Sequence, residues 1–280
     1  MNATVLPFFL DGARGRCFAI YHRPPADIET WANVLCVPPF NEEMNRCRSM
    51  FTMLARSLAR GGIGTLVIDL HGTGESEGEH VDARWETWKS DIAQAMGWLD
   101  RQGGACRALI GVRLGVPLAA DVLRESADKG VALVAWQPVS DGKSYFTQFL
   151  RIRIAANMER TDIPKETAAD MRKQLASGHP VEVAGYAVHP ELAAAIEGCR
   201  LSALTPATGG GVGWFERKSG TEEGLAPASQ AVVDGWRSEG RRVDVHHFEG
   251  PAFWAVHDRA VAPDLIRQTT DWLLSLRVPA

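Results

Sequence analysis

Gly111-Val112-Arg113-Leu114-Gly115 is the stretch on which the reading of this chain turns. The apolar run Ala108-Leu109-Ile110 leads into Gly111. After Gly115, Val116-Pro117-Leu118-Ala119-Ala120, Val122 and Leu123 continue at helical spacing. The order is strand, tight turn, helix. Gly111 and Gly115 are small where two backbones must approach closely, and Pro117 falls in the first helical turn, where a missing N–H costs little. Together they make the G-x-x-x-G frame of a nucleophile elbow, with arginine where a serine would attack. A guanidinium carries only N–H donors and stays protonated at working pH, so Arg113 cannot accept an acyl group.

Outward from the elbow, short apolar runs alternate with helical patterns. Phe8-Phe9-Leu10 and Cys17-Phe18-Ala19-Ile20-Tyr21 flank the turn Asp11-Gly12-Ala13-Arg14-Gly15 and predict an antiparallel hairpin. Val34-Leu35-Cys36-Val37 predicts a buried strand closed by Pro38-Pro39. Met50, Phe51, Leu54 and Leu58 then predict a helix capped by Gly61-Gly62. Thr65-Leu66-Val67-Ile68 follows as a strand. Trp85, Trp88, Ile92, Ala95 and Leu99 lie on one face of a helix, and Val131-Ala132-Leu133-Val134-Ala135-Trp136 is a further strand. Such alternation predicts an α/β fold with a mostly parallel central sheet flanked by helices. Over residues 142–202 the alternation breaks into helical pieces, read as a helical cap inserted between core segments 1–141 and 203–280. The core resumes with Gly213-Trp214-Phe215-Glu216, a helix near Gln230 to Trp236, the strand Val243-Asp244-Val245-His246-His247-Phe248 and a last helix from Pro263.

The 280 residues, 45% hydrophobic and 23% charged, suffice for one domain with an insertion. A net charge of −4 gives no basic field for nucleic acid. No stretch has transmembrane length, and residues 1–10 lack a basic leader. Cys17, Cys36, Cys47, Cys106 and Cys199 are odd in number and widely spaced, which suits reduced thiols in the cytoplasm and no metal site.

With these elements in place the chain resembles the α/β-hydrolase superfamily from about residue 10 onward. Asp69-Leu70-His71-Gly72-Thr73-Gly74-Glu75-Ser76 is similar to the superfamily's D-x-R-G-x-G-x-S turn, with His71 in place of the arginine. Pro39-Phe40-Asn41-Glu42-Glu43-Met44-Asn45, Asp82-Ala83-Arg84-Trp85, the arginine-centred elbow and the segment from Pro138 to Gly142 resemble one subgroup, the second hydrolase associated with the exosortase A system. The resemblance implies a bacterial setting beside exopolysaccharide and protein-sorting genes, and no particular substrate.

In this fold an oxyanion hole uses the N–H after the elbow residue, here Leu114, and one from the loop after the third strand. Pro38 and Pro39 have none, so Phe40 or Asn41 is the first possible second donor. Arg113 has two readings: a fork for a carboxylate or phosphate, or an ion pair with Glu42, Glu43 or Asp141. Asp141 and Glu216 hold the positions of a catalytic acid, although an aspartate before glycine is also a turn former. Pro251 stands where a histidine is expected, leaving His257 as the nearest downstream histidine and also a natural surface residue. Cys47 and Ser140 are further nucleophile candidates with no activating neighbour in sequence.

Two function classes follow. One is a hydrolase or acyl-transfer enzyme for ester or thioester bonds, lacking the serine, in which Asp141 or His257 activates water. The other is a non-catalytic pseudo-hydrolase that binds an acidic small molecule or a partner protein through Arg113. A lyase comes third. No cofactor is expected. The expected partners are a small-molecule substrate or ligand, with a second copy or an exopolysaccharide-system protein as further candidates.

Overall fold

A computed structural model describes residues 3–126, 130–158, 160, 162, 165–207, 209–218 and 224–277. The strands β1 (Thr4–Asp11), β2 (Arg16–Arg23), β3 (Ala32–Val37), β4 (Ile63–Ile68), β5 (Ala105–Val112), β6 (Ala132–Trp136), β9 (Val212–Arg217) and β10 (Val243–Phe248) form one sheet in the order β1-β2-β4-β3-β5-β6-β9-β10. β1 and β2 pair antiparallel, as do β2 and β4. Every other pair is parallel.

The continuous apolar runs follow from burial on both faces. Along β3, Leu35 and Val37 face the core under α2 (Trp85–Leu99) and α3 (Gly115–Glu125), while Val34 and Cys36 face α1 (Glu42–Arg60) and α8 (Pro263–Ser275). β6 alternates likewise, with Leu133 and Ala135 on the first side and Val134 and Trp136 on the second. All five cysteines are buried thiols. Among the described residues, no helix is long and apolar enough to cross a membrane.

Between β6 and β9 lie α4 (Gly142–Ala156), α5 (Ala168–Ala176), a hairpin of β7 (Val181–Val183) and β8 (Tyr186–Val188), and α6 (Pro190–Gly198). The hairpin is not among the helical pieces expected for this segment. Val181-Glu182-Val183 and Tyr186-Ala187-Val188 are too short to stand out, but they flank Ala184-Gly185, both at positive φ (52° and 85°), as a two-residue hairpin turn requires. α7 (Pro227–Ser238) completes the flanking helices. Residues 219–223, in the loop before it, lie outside the described set.

Backbone crowding places the elbow. A Cβ on Gly111 would meet Gly115 O and Val116 Cα at 2.6 Å. One on Gly115 would meet Val37 O at 2.5 Å and Pro38 O at 2.6 Å. The second contact seats the β5–α3 turn directly on the loop after β3. Because these obstacles are backbone atoms, Gly115→Ala is expected to lower stability by about 2 kcal/mol, read as a shifted urea midpoint with unchanged slope. A loss below about 0.5 kcal/mol would mean that the two loops are not in register as described.

Candidate active site at the elbow

Arg113 takes φ 53°, a left-handed conformation costly for a residue with a Cβ. The turn is held by Arg113 N–H donating to Trp136 O at 3.0 Å and by Val116 N–H donating to Arg113 O at 3.1 Å. The elbow is therefore built as though for a nucleophile, and it presents a guanidinium. The arginine side chain is 17% exposed. Its Nε donates to Glu43 Oε1 at 3.3 Å, and Nη1 approaches the Gln137 carbonyl at 3.5 Å. Nη2 donates to no acceptor among the described residues. The rings of Tyr145 and Trp254 each lie with their centroids 5.6 Å from the guanidinium carbon, a cation–π arrangement.

Glu43 stands in the first turn of α1, where the helix N-terminus favours a carboxylate. Its Oε2 accepts from the Tyr145 hydroxyl at 3.2 Å. Burial raises the Glu43 pKa, and the attraction and hydrogen bonds of Arg113 and Tyr145 only partly offset it. Burial, then the Glu43 charge, pushes the Tyr145 hydroxyl well above its ordinary range. Cys47, one helical turn beyond Glu43, is fully buried and its thiol is pushed well up by the same two causes, so it has no nucleophilic character here.

Asn41, ahead of α1, has φ 53° and ψ −128° and makes no capping hydrogen bond with its side chain. Its Oδ1 lies 2.5 Å from His80 Nε2, while His80 Nδ1 lies 2.9 Å from the Ala187 carbonyl of β8. Burial pushes the His80 pKa down, so the neutral ring has one N–H for two acceptors unless the amide turns its NH2 toward the ring. In either orientation one buried polar atom of the Asn41 amide is left without a partner, Nδ2 as it lies here.

Asn41, Glu43, Arg113, Tyr145 and Trp254 line a cleft of about 360 Å³ bounded by the start of α1, the elbow, α4 and the loop after β10, with His80 behind Asn41 and outside the lining. Of the residues singled out in the sequence, Phe40, Asn41, Glu43 and Arg113 line this cleft. Leu114 lies beside them in a smaller pocket of about 20 Å³ shared with Phe40, Asn41 and Gly115, room for one water-sized group. Neither the Leu114 N–H nor the Phe40 N–H donates to an acceptor among the described residues.

The other candidates lie elsewhere. Asp141 caps α4 by accepting from Ser144 N–H at 2.6 Å and pairs with Arg200 at 3.0 Å. The Ser144 N–H, more than the arginine, holds its carboxyl below the usual range. Glu216 is buried in β9, accepting from Trp214 Nε1 at 3.2 Å and Ala226 N–H at 3.0 Å, and so ties the strand to the approach to α7. His257 is exposed and borders a neighbouring groove with Arg48 and Arg259. None of the three lines the Arg113 cleft. Glu42 pairs with Arg46 at 2.9 Å, which leaves Glu43 as the partner of Arg113.

Sequence reading missed Tyr145, Trp254 and His80 as members of this neighbourhood. A signal existed for Tyr145: with Gln148, Phe149 and Ile152 it falls at i, i+3, i+4 and i+7, one face of a helix. Nothing in sequence marks His80, whose position depends on a turn of three residues meeting the hairpin.

No family model and no curated protein matches the sequence. Solved structures do. Est1E from Butyrivibrio proteoclasticus, determined with ferulic acid bound, aligns at TM-score 0.66 and 13% identity over 96% of this chain and 98% of its own. The hypothetical protein PA2218 from Pseudomonas aeruginosa aligns at TM-score 0.63 and 14% identity over 96% and 94%. XC6422 from Xanthomonas campestris, described as a serine hydrolase without a lid, aligns at TM-score 0.57 and 14% identity over 99% and 96%. At these identities the likeness speaks to architecture. The sheet order, the elbow between β5 and α3 and these alignments together give the chain the α/β-hydrolase fold.

Proposed function

We propose that this chain is a divergent hydrolase of the kind associated with the exosortase A system, acting on an ester or thioester without a serine intermediate. In this reading Glu43 is the base. Its carboxylate takes a proton from water, the oxygen adds to the acyl carbon, and the Leu114 and Phe40 N–H groups stabilise the oxyanion. Collapse breaks the bond to the leaving oxygen or sulfur, which recovers the proton from Glu43, and releases a carboxylic acid. Arg113 and Tyr145 orient Glu43, and Arg113 faces the carboxylate product. The observation that carries the reading is the Glu43 carboxyl itself, buried at the elbow with a raised pKa, as suits a general base. Five buried thiols support a reducing, cytoplasmic setting.

A second reading, binding of an acidic ligand or partner protein without turnover, is supported by the absence of histidine, serine and cysteine among the residues lining the cleft. A panel of activated acyl esters and thioesters separates the two. Turnover lost in Glu43→Gln supports catalysis. Saturable binding with no turnover, weakened by Arg113→Ala, supports the second reading.

A further inference from the structure

The cleft has two ends of different character. At the elbow end lies Arg113 Nη2, which donates to no acceptor among the described residues, beside the Asn41 side chain, whose Oδ1 meets His80. The other cationic group of the cleft is already engaged: Arg46 donates to Glu42 at 2.9 Å and approaches the Trp254 and Ala255 carbonyls at 3.4 Å. Along α4 the lining turns apolar at Phe149 and Ile152, and Ala184 of the hairpin turn also lines the cleft. From Tyr145 to Ile152 the helix advances seven residues, about 10 Å.

Ile152 is 44% exposed, and Val256, which follows Ala255 in the chain, is 37% exposed. Large aliphatic side chains left in water at the edge of an apolar lane are suited to being covered by ligand. Residue 152 lies one turn beyond Gln148, so the α4 side of the lane passes from an amide to an aliphatic side chain.

We infer that the ligand is an aliphatic acyl compound of medium chain length, with its acyl head at the elbow, the product carboxylate beside Arg113, and its chain along α4 toward Ile152. The inference rests on the reading of the elbow cleft as the acyl site, and it names the substrate class of that site. The chain displaces water from Phe149, Ile152 and Trp254, while the head supplies the acceptor that Arg113 Nη2 lacks. After hydrolysis the same contacts hold the released fatty acid, so such acids are both products and competitive ligands.

Isothermal titration of the purified protein with butanoate, hexanoate, octanoate and decanoate, below their micelle concentrations, reads this directly. Affinity is expected to rise about fourfold per added methylene and to level off once the chain passes Ile152. Octan-1-ol is expected to bind at least about tenfold more weakly than octanoate, the loss of a charge-assisted contact. Ile152→Asn, at an exposed position that leaves the core intact, should flatten the dependence for the two longer acids only. Equal affinity for butanoate and octanoate, equal affinity for octanoate and octanol, or no binding by any of them would overturn the inference. Chain-dependent binding with no hydrolysis of octanoyl thioesters would instead sink the catalytic reading and leave the acyl site standing. Hydrolysis indifferent to chain length, with flat binding, would do the reverse.

Discussion

Arg113→Ala is expected to cost about 3 kcal/mol of stability near pH 8 and much less near pH 5. Removing one partner of a buried ion pair leaves the other charge without compensation, typically a loss of about 3–5 kcal/mol. The lower end applies because the two side chains keep 17% and 18% of their exposure. The backbone contributes nothing to the difference, since alanine and arginine are equally strained at φ 53°. The pH dependence follows from Glu43. Its pKa is already raised by burial while Arg113 pulls it down, so without the arginine it rises further. A carboxyl whose folded pKa lies above its unfolded one contributes stability that is complete below the unfolded value, about 4.3, and is lost as pH climbs through the folded value. The variant therefore recovers as pH falls and Glu43 takes up its proton. Adding Glu43→Gln should restore most of the loss at pH 8, a coupling of more than about 1 kcal/mol in a double-mutant cycle read by urea denaturation. A loss equal at both pH values and unchanged in the double variant would show that Arg113 stabilises the elbow through its aromatic neighbours and not through Glu43.

The legible part of this protein is the part governed by short-range rules. Gly111 and Gly115 stand four apart because the strand, the helix and the Pro38 carbonyl leave no room for a Cβ, and that need is written at fixed positions. Strands β3, β5 and β6 are visible because both faces are buried, which forces unbroken apolar runs. The partner of Arg113 was a different problem. Glu42, Glu43 and Asp141 were equivalent in sequence, and the choice depends on the angle at which α1 leaves the loop after β3. There Glu43 turns inward, Glu42 meets Arg46, and Asp141 is taken by the cap of α4 and by Arg200. Trp254 lies in the loop that carries the nearest downstream histidine, His257. The loop does turn inward, but it delivers an indole to the guanidinium and leaves the imidazole outside. Which residue of a loop faces a cleft is a matter of its path, on which local sequence is silent.

The largest functional effect is expected from Glu43→Gln. The variant keeps the size of the side chain and one accepting oxygen but cannot take a proton from water, and loss of a positioned base typically costs about 10²–10⁴ in rate. On an octanoyl thioester kcat should fall at least about 100-fold with KM little changed, because the amide still shapes the cleft. The wild-type rate should rise on one limb as pH climbs through the raised Glu43 value, and the variant should lack that limb. Arg113→Ser provides the complementary test, since it returns a hydroxyl to a turn already wound for a nucleophile. A serine at this elbow needs an imidazole to take its proton. None of the residues lining the cleft is histidine, His80 is committed to Asn41 and Ala187, and His257 faces the neighbouring groove. The serine variant should therefore give no burst of leaving group and, with Glu43 released from its partner, no faster turnover than the native chain. A burst stoichiometric with protein would mean that a base already stands within reach of the elbow, and that arginine alone silences an otherwise intact serine hydrolase.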